Sequence, residues 1–182
     1  MSDRAAHDTR PLLALVAGAL GLRLIFLLAY GLDAPLVQWG DDHEYDRIAR
    51  GLLSEGYLVS TWYPPGYSMF VAAVYALSGS SLAAVRLVQA LLGAATCGLV
   101  YLIGRTVASH RAALLGGALL AVFPGHIYFT WRLMAETLFA FLVTLTVHLA
   151  LRLARAPGPS RGASTGVALG AATIVKSNLM PM

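Results

Sequence analysis

Long apolar runs alternate along this chain with short polar stretches. The runs at 11–32, 84–104, 112–129, 133–153 and 164–180 each approach the roughly 20 mostly apolar residues that a helix needs to cross a bilayer. Each is predicted to be a helix. Between the first two stands the one charged, aromatic-rich island, residues 39–67. It carries Asp41, Asp42, Glu44 and Asp46 in quick succession and closes on Tyr63-Pro64-Pro65-Gly66. If 41–53 is helical, Asp41, Tyr45 and Ala49 share one stripe, and Asp42 and Asp46 the next. Trp39-Gly40 would lead into it, with Asp41 near the positive end of the helix dipole.

The segment 64–80, PPGYSMFVAAVYALSGS, is apolar but short. The two short basic loops, 105–111 and 152–162, are expected on the cytoplasmic side, as is the N-terminal tail with Arg4 and Arg10. The first run then exits and leaves the acidic island outside. Only an odd number of crossings connects that island to Arg105. So 64–80 is predicted to be an amphipathic juxtamembrane helix on the outer face, its Pro pair in the first turn, where a missing N–H costs nothing. Residues 125–136 then also lie at the outer surface, and the fifth run exits again.

Composition agrees. The 182 residues are 58% hydrophobic and 12% charged, with mean hydropathy +0.69. A soluble domain carries roughly 25% charged residues. The fold class expected is therefore all-α, a polytopic transmembrane bundle with an outer loop, 33–83, bearing short amphipathic helices. The net charge of +4 does not point to nucleic acid, because the basic residues stand at the ends of apolar runs rather than in a patch. The first run is too long for the core of a signal peptide and contains Arg23. Cys97, the one cysteine, lies in an apolar run, so disulfides play no part. The chain stops abruptly after its last apolar run, and a fragment of a longer membrane enzyme is expected, with a short natural protein as the alternative.

Candidate chemistry follows from which charges the membrane would resist. A carboxylate at the start of the 41–53 helix can serve as a general base or hold a cation, although a solvated, capped helix start has the same sequence. Glu136, at the edge of the fourth run, marks a function or pairs with Arg132 four residues before it. Arg86 and Lys176 sit toward the outer half, against the positive-inside tendency. An anion such as a lipid phosphate would account for them, and so would snorkelling to headgroups. Arg23, nearer the middle, is expected to make a structural pair. His43, with Asp41 and Asp42, is the candidate for a divalent metal, at a spacing that matches no ligand motif. His110 and His148 read as a loop and a span-end residue. Trp62, Tyr63, Tyr67, Tyr128 and Trp131 form an interfacial aromatic belt or a surface for stacking a sugar. A polytopic transporter or lipid-handling protein, with Glu136, Arg23 and Lys176 as an intramembrane relay, is the alternative from another class. A catalytically incomplete fragment is a third.

Four motifs resemble the N-terminal part of bacterial GT-C glycosyltransferases of the protein-mannosyltransferase and aminoarabinose-transferase type. They are DDHEYDRIA (41–49), Pro-Pro-Gly-Tyr (64–67), Gly-Ser…Val-Arg-Leu (79–87) and Pro…Glu-Thr-Leu (124–138), with a looser Gly…Lys at 170–176. The resemblance runs in family order over nearly the whole chain. It implies sugar transfer from a polyprenyl-phosphate carrier to an acceptor hydroxyl of a protein, lipid or glycan, on the extracytoplasmic face of the plasma membrane. By the same resemblance, Asp41 is the catalytic carboxylate, with Asp42 as its fallback and Glu136 as the second acidic position. Arg86, Lys176 and Arg132, with Tyr63 and Tyr45, are assigned to the donor and its phosphate. Relatives acting on lipid A carry a lysine just before the Pro pair, where this chain has Tyr63, so that contact is absent or supplied elsewhere. The motifs fix no cofactor, and a need for a divalent metal stays open.

Overall fold

The computed structural model describes residues 9–37, 40–58 and 62–176. They form eight helices and no strand. In order these are α1 (Arg10–Tyr30), α2 (Asp41–Glu55), α3 (Pro65–Ser78), α4 (Leu82–Val107), α5 (His110–Val122), α6 (Pro124–Trp131), α7 (Glu136–Arg155) and α8 (Pro159–Val175). Three of them, α1, α4 and α7, are long and apolar enough to cross a membrane. The bent pair α5–α6 qualifies as a fourth if taken as one span. The protein is an all-α, multi-pass membrane protein.

Local chemistry sets most boundaries. Pro11, Pro65 and Pro159 open α1, α3 and α8, where proline lacks only an N–H that the helix would leave free anyway. Ser81 and Ser109 cap α4 and α5, their hydroxyls accepting from the N–H groups of Ala84 (3.2 Å) and Ala112 (3.3 Å). Helix α7 carries Glu136 in its first turn and Arg152 and Arg155 in its last, which complements its dipole at both ends.

Two expected spans differ in detail. The run 112–129 is not one straight helix: the chain bends by 49° between α5 and α6. Pro124 cannot donate to Leu120, and its ring excludes that carbonyl from the normal helical position. Phe123 N–H turns back to Leu120 instead (3.3 Å). The run 133–153 begins its helix only at Glu136, and the last run is helical from Pro159 rather than 164. The N-terminal tail with Arg4, the residue Trp39 and the stretch after Lys176 lie outside the described residues.

Two ends of the bundle are chemically distinct. At one, the end of α7 meets the end of α4 through Arg155, which donates to the Thr106 carbonyl (3.0 Å), and Arg105 reaches His110 at the start of α5 (2.7 Å). This is the basic end. Five runs lead from it to the other: α1, α4, α5–α6, α7 and α8. At that other end α2 and α3 pack together, and every described carboxylate belongs to the α1–α2 connection, to α2 or to the first turn of α7.

Helix α3 does not run between the ends. Its start lies against Ile174 and Val175, where α8 finishes, and three residues after its end α4 begins at the acidic end. At Gly66 a Cβ would stand 2.7 Å from the α8 backbone, so only glycine lets the two helices approach this closely. Helix α2 is amphipathic, with Tyr45, Ile48 and Ala49 buried and Arg47 and Arg50 exposed. Helix α3, expected to be amphipathic as well, buries Tyr67, Val71 and Tyr75 but shows Met69, Ala73, Ala76 and Leu77 on its open side. The larger core cluster sits at this acidic end and joins α2, α3, α4, α7 and α8 through Tyr45, Tyr67, Val71, Val85, Leu138 and Val175.

Candidate active site at the acidic end

The site is built on the start of α2. Gly40 precedes it with φ +144°, a conformation that side chains resist, and a Cβ there would crowd the Arg132 guanidinium at 3.1 Å. Asp41 and Asp42 follow in the first turn and point to different surroundings. Asp42 is 1% exposed. Its carboxylate accepts from Arg132 Nε at 3.0 and 2.9 Å, from a second Arg132 nitrogen, and from the Leu133 backbone N–H at 3.0 Å. Arg132 also donates to the Tyr128 hydroxyl (2.8 Å). The aspartate thus clamps α2 onto the α6–α7 turn, a charge-assisted fork geometry. Asp41 is exposed and accepts one hydrogen bond, from the Tyr63 hydroxyl at 2.9 Å.

Glu136 opens α7. Lys176, at the end of α8, donates to one of its oxygens at 2.9 Å, and the other oxygen is buried with no donor among the described residues. The Glu136–Arg132 pairing open to the sequence is not what forms. Residues 132–135 leave the helix between α6 and α7, so the i, i+4 relation is broken, and each residue finds a distant partner.

Tyr45 is within electrostatic reach of both Asp41 and Glu136. Its ring meets Tyr63 edge-on at 5.2 Å and Tyr67 at 4.8 Å. Burial first, then the charges of Asp41 and Glu136, push its phenol up to about 12. One neutral phenol therefore feels both acidic positions. The hydrogen bond to Asp41 raises the Tyr63 phenol as well.

The cations expected at a phosphate are placed differently from one another. Arg86 is 2% exposed and donates to the carbonyls of Trp131 (3.0 Å), Leu32 (2.7 Å) and Ala34 (2.7 Å), holding three chain segments together. Arg132 is engaged with Asp42. Lys176 is about one-third exposed and uses one of its three N–H donors on Glu136. Arg23 is fully buried, and it donates to the Ala19 carbonyl (2.7 Å) and meets His126 Nδ1 (2.6 Å). Among the described residues Arg23 makes no hydrogen bond or ion pair with Glu136 or Lys176. His43 is exposed at the surface of α2. Among the described residues no three His, Cys, Asp or Glu side chains gather as a metal site, and the Asp42 oxygens are already held by Arg132 and Leu133.

Gln89 is the residue that sequence reading passed over. Fully buried, it accepts from the Tyr67 hydroxyl (2.8 Å) and donates to the carbonyls of Thr130 (3.0 Å) and Arg132 (2.9 Å). It fixes both the tyrosine layer and the turn that carries Arg132. A lone glutamine in an apolar run was its only signal. Beside Glu136, between the α5–α6 bend and α7, is a largely apolar cavity of about 290 Å³ with Phe123, Phe129 and Ala140 in its wall.

The apolar multi-pass bundle thus gathers carboxylates, tyrosines and a lysine at one end. The family described as dolichyl-phosphate-mannose-protein mannosyltransferase matches residues 63–182, about two thirds of the chain, and the chain belongs to that family. It is a membrane glycosyltransferase of the GT-C type. The match covers Tyr63, Arg86, Arg132, Glu136 and Lys176; Asp41 and Asp42 stand upstream of it. Among curated proteins and among solved structures, none matches the chain.

Proposed function

We propose that this chain transfers a sugar from a polyprenyl-phosphate carrier to an acceptor hydroxyl, with inversion, at the extracytoplasmic face of the plasma membrane. The observation that carries this reading is the gathering of Asp41, Tyr63, Tyr45, Glu136 and Lys176 at the end of the bundle opposite the two basic loops. Asp41 is the general base. It is exposed, it stands in the first turn of α2, and the Tyr63 hydroxyl that donates to it orients it. As the acceptor oxygen attacks the anomeric carbon, its proton passes to Asp41. The bond from that carbon to the phosphate oxygen breaks, and the polyprenyl phosphate leaves with the electron pair.

Lys176 has donors left over for the departing phosphate, and Glu136 positions it. Asp42 and Arg132 act together as the clamp that holds α2 in place. The apolar cavity beside Glu136 supports a donor whose carrier chain lies in the bilayer. The positive-inside tendency supports the side, since Arg105, Arg111, Arg152, Arg155 and Arg161 occupy the opposite end.

The test is Asp41→Asn in the membrane-embedded protein, with release of polyprenyl phosphate from labelled prenyl-phosphate sugars as the readout. Loss of about 10²–10⁴-fold in turnover, with donor binding kept, is expected for removal of a general base. Turnover at the parental rate would move the base to another residue.

A further inference from the structure

Besides Arg10 at the start of α1, the basic end holds five arginines of the described residues, in the last turns of α4 and α7 and the first turns of α5 and α8. None of the described carboxylates is there to balance them. Two of the five, Arg152 and Arg161, line a cavity of about 260 Å³ at the α7–α8 turn, together with Leu149, Ser160 and Ser164. Arg161 is fixed against the turn by donating to the Ala156 carbonyl (2.5 Å), and the Ser164 hydroxyl donates to the Arg161 carbonyl (3.0 Å). No side chain caps α8 here. The first bond along that helix runs from Gly162 N–H to the Gly158 carbonyl (2.9 Å), so the backbone N–H groups of Ser160 and Arg161 precede it.

We infer that this cavity binds the phosphate of an anionic phospholipid headgroup. Two guanidiniums, a serine hydroxyl and the first N–H groups of a helix are all donors, and among the described residues no carboxylate lines the cavity. A free phosphate would satisfy the same donors. The surroundings favour a lipid: Leu149 lies in the wall, and Val147 on α7 and Val167 on α8 are exposed farther along the bundle, where an acyl chain would run. A basic pocket between two helices at the membrane surface is a recurrent form of headgroup site. The inference stands apart from the transferase reading, because it uses none of that site's residues.

The test reconstitutes the whole chain in nanodiscs of phosphatidylcholine and phosphatidylglycerol, extracts it in mild detergent and counts retained lipid by native mass spectrometry. One phosphatidylglycerol is expected to stay. Arg152→Gln with Arg161→Gln should weaken its retention about 25-fold, each charge being worth about fivefold. Arg111→Gln, at the same end but outside the cavity, should leave it unchanged. Arg152 makes no hydrogen bond through its side chain among the described residues, so Arg152→Gln alone reads about a fivefold loss if the double variant fails to fold. Equal retention of phosphatidylcholine would overturn the inference. So would an Arg111→Gln loss as large as that of the pair, which would mean diffuse charge, or displacement of the lipid by inorganic phosphate, which would mean a free-anion site.

Discussion

Asp41 and Asp42 are consecutive, and the rotation of about 100° per helical residue sends one to the surface beside Tyr63 and the other beneath Arg132. Their variants should therefore separate. Asp42→Asn removes the charge that compensates a largely buried arginine, and breaking such a pair costs about 3 kcal/mol or more. Denaturant unfolding in detergent should show that loss for Asp42→Asn and almost none for Asp41→Asn, while transfer assays show the reverse emphasis. Equal destabilisation by both would dissolve the distinction between clamp and base. Tyr45 makes a pH prediction. Its phenol is raised from 10.0 to about 12 in the folded protein, so its contribution to stability is fully present below about pH 10 and is lost as pH rises through about 12. Tyr45→Phe should lose less stability over that interval than the parent does, and identical alkaline curves would contradict the burial argument. The place of Asp41 at a helix start was legible in the sequence because that is a local property. The Asp42–Arg132 and Glu136–Lys176 pairs were not, since each joins residues far apart in the chain and depends on where 132–135 leaves the helix.

At the scale of elements, the decisive segment is α3. Its reading as a helix that stays at one end came from counting crossings between basic loops, a long-range constraint that sequence does carry. What sequence could not carry is its surroundings: α3 is packed between α2, α4 and α8, and its open side is apolar. The Gly66 contact with Ile174 and Val175 depends on α8 ending there, which no local pattern encodes. Gly66→Val should push α3 off α8 and cost about 1–3 kcal/mol, with loss of transfer even though no proposed reacting group is touched. Unchanged stability and activity would show that the approach is not needed. Pro124 was visible as a proline in an apolar run, and a single span was expected there. The 49° bend became evident only with α6 seated on α1 and α4, where Trp131 donates to the Gly31 carbonyl (3.2 Å).

The whole molecule is polar from end to end: every described carboxylate lies at one end, the two arginine-bearing loops lie at the other, and five runs stand between them. Mean hydropathy and the placement of basic loops made the bundle legible, because the bilayer imposes both on composition. The measurement that tests the polarity most directly is labelling by a membrane-impermeant maleimide of single cysteines in a Cys97→Ala background. His43→Cys on α2 and Met134→Cys in the α6–α7 turn report the acidic end, and Arg111→Cys reports the basic end. The account predicts that 43 and 134 label in intact cells while 111 labels only after permeabilisation. If 43 and 134 label from opposite sides, α3 crosses the membrane, and Asp41 and Glu136 share no site.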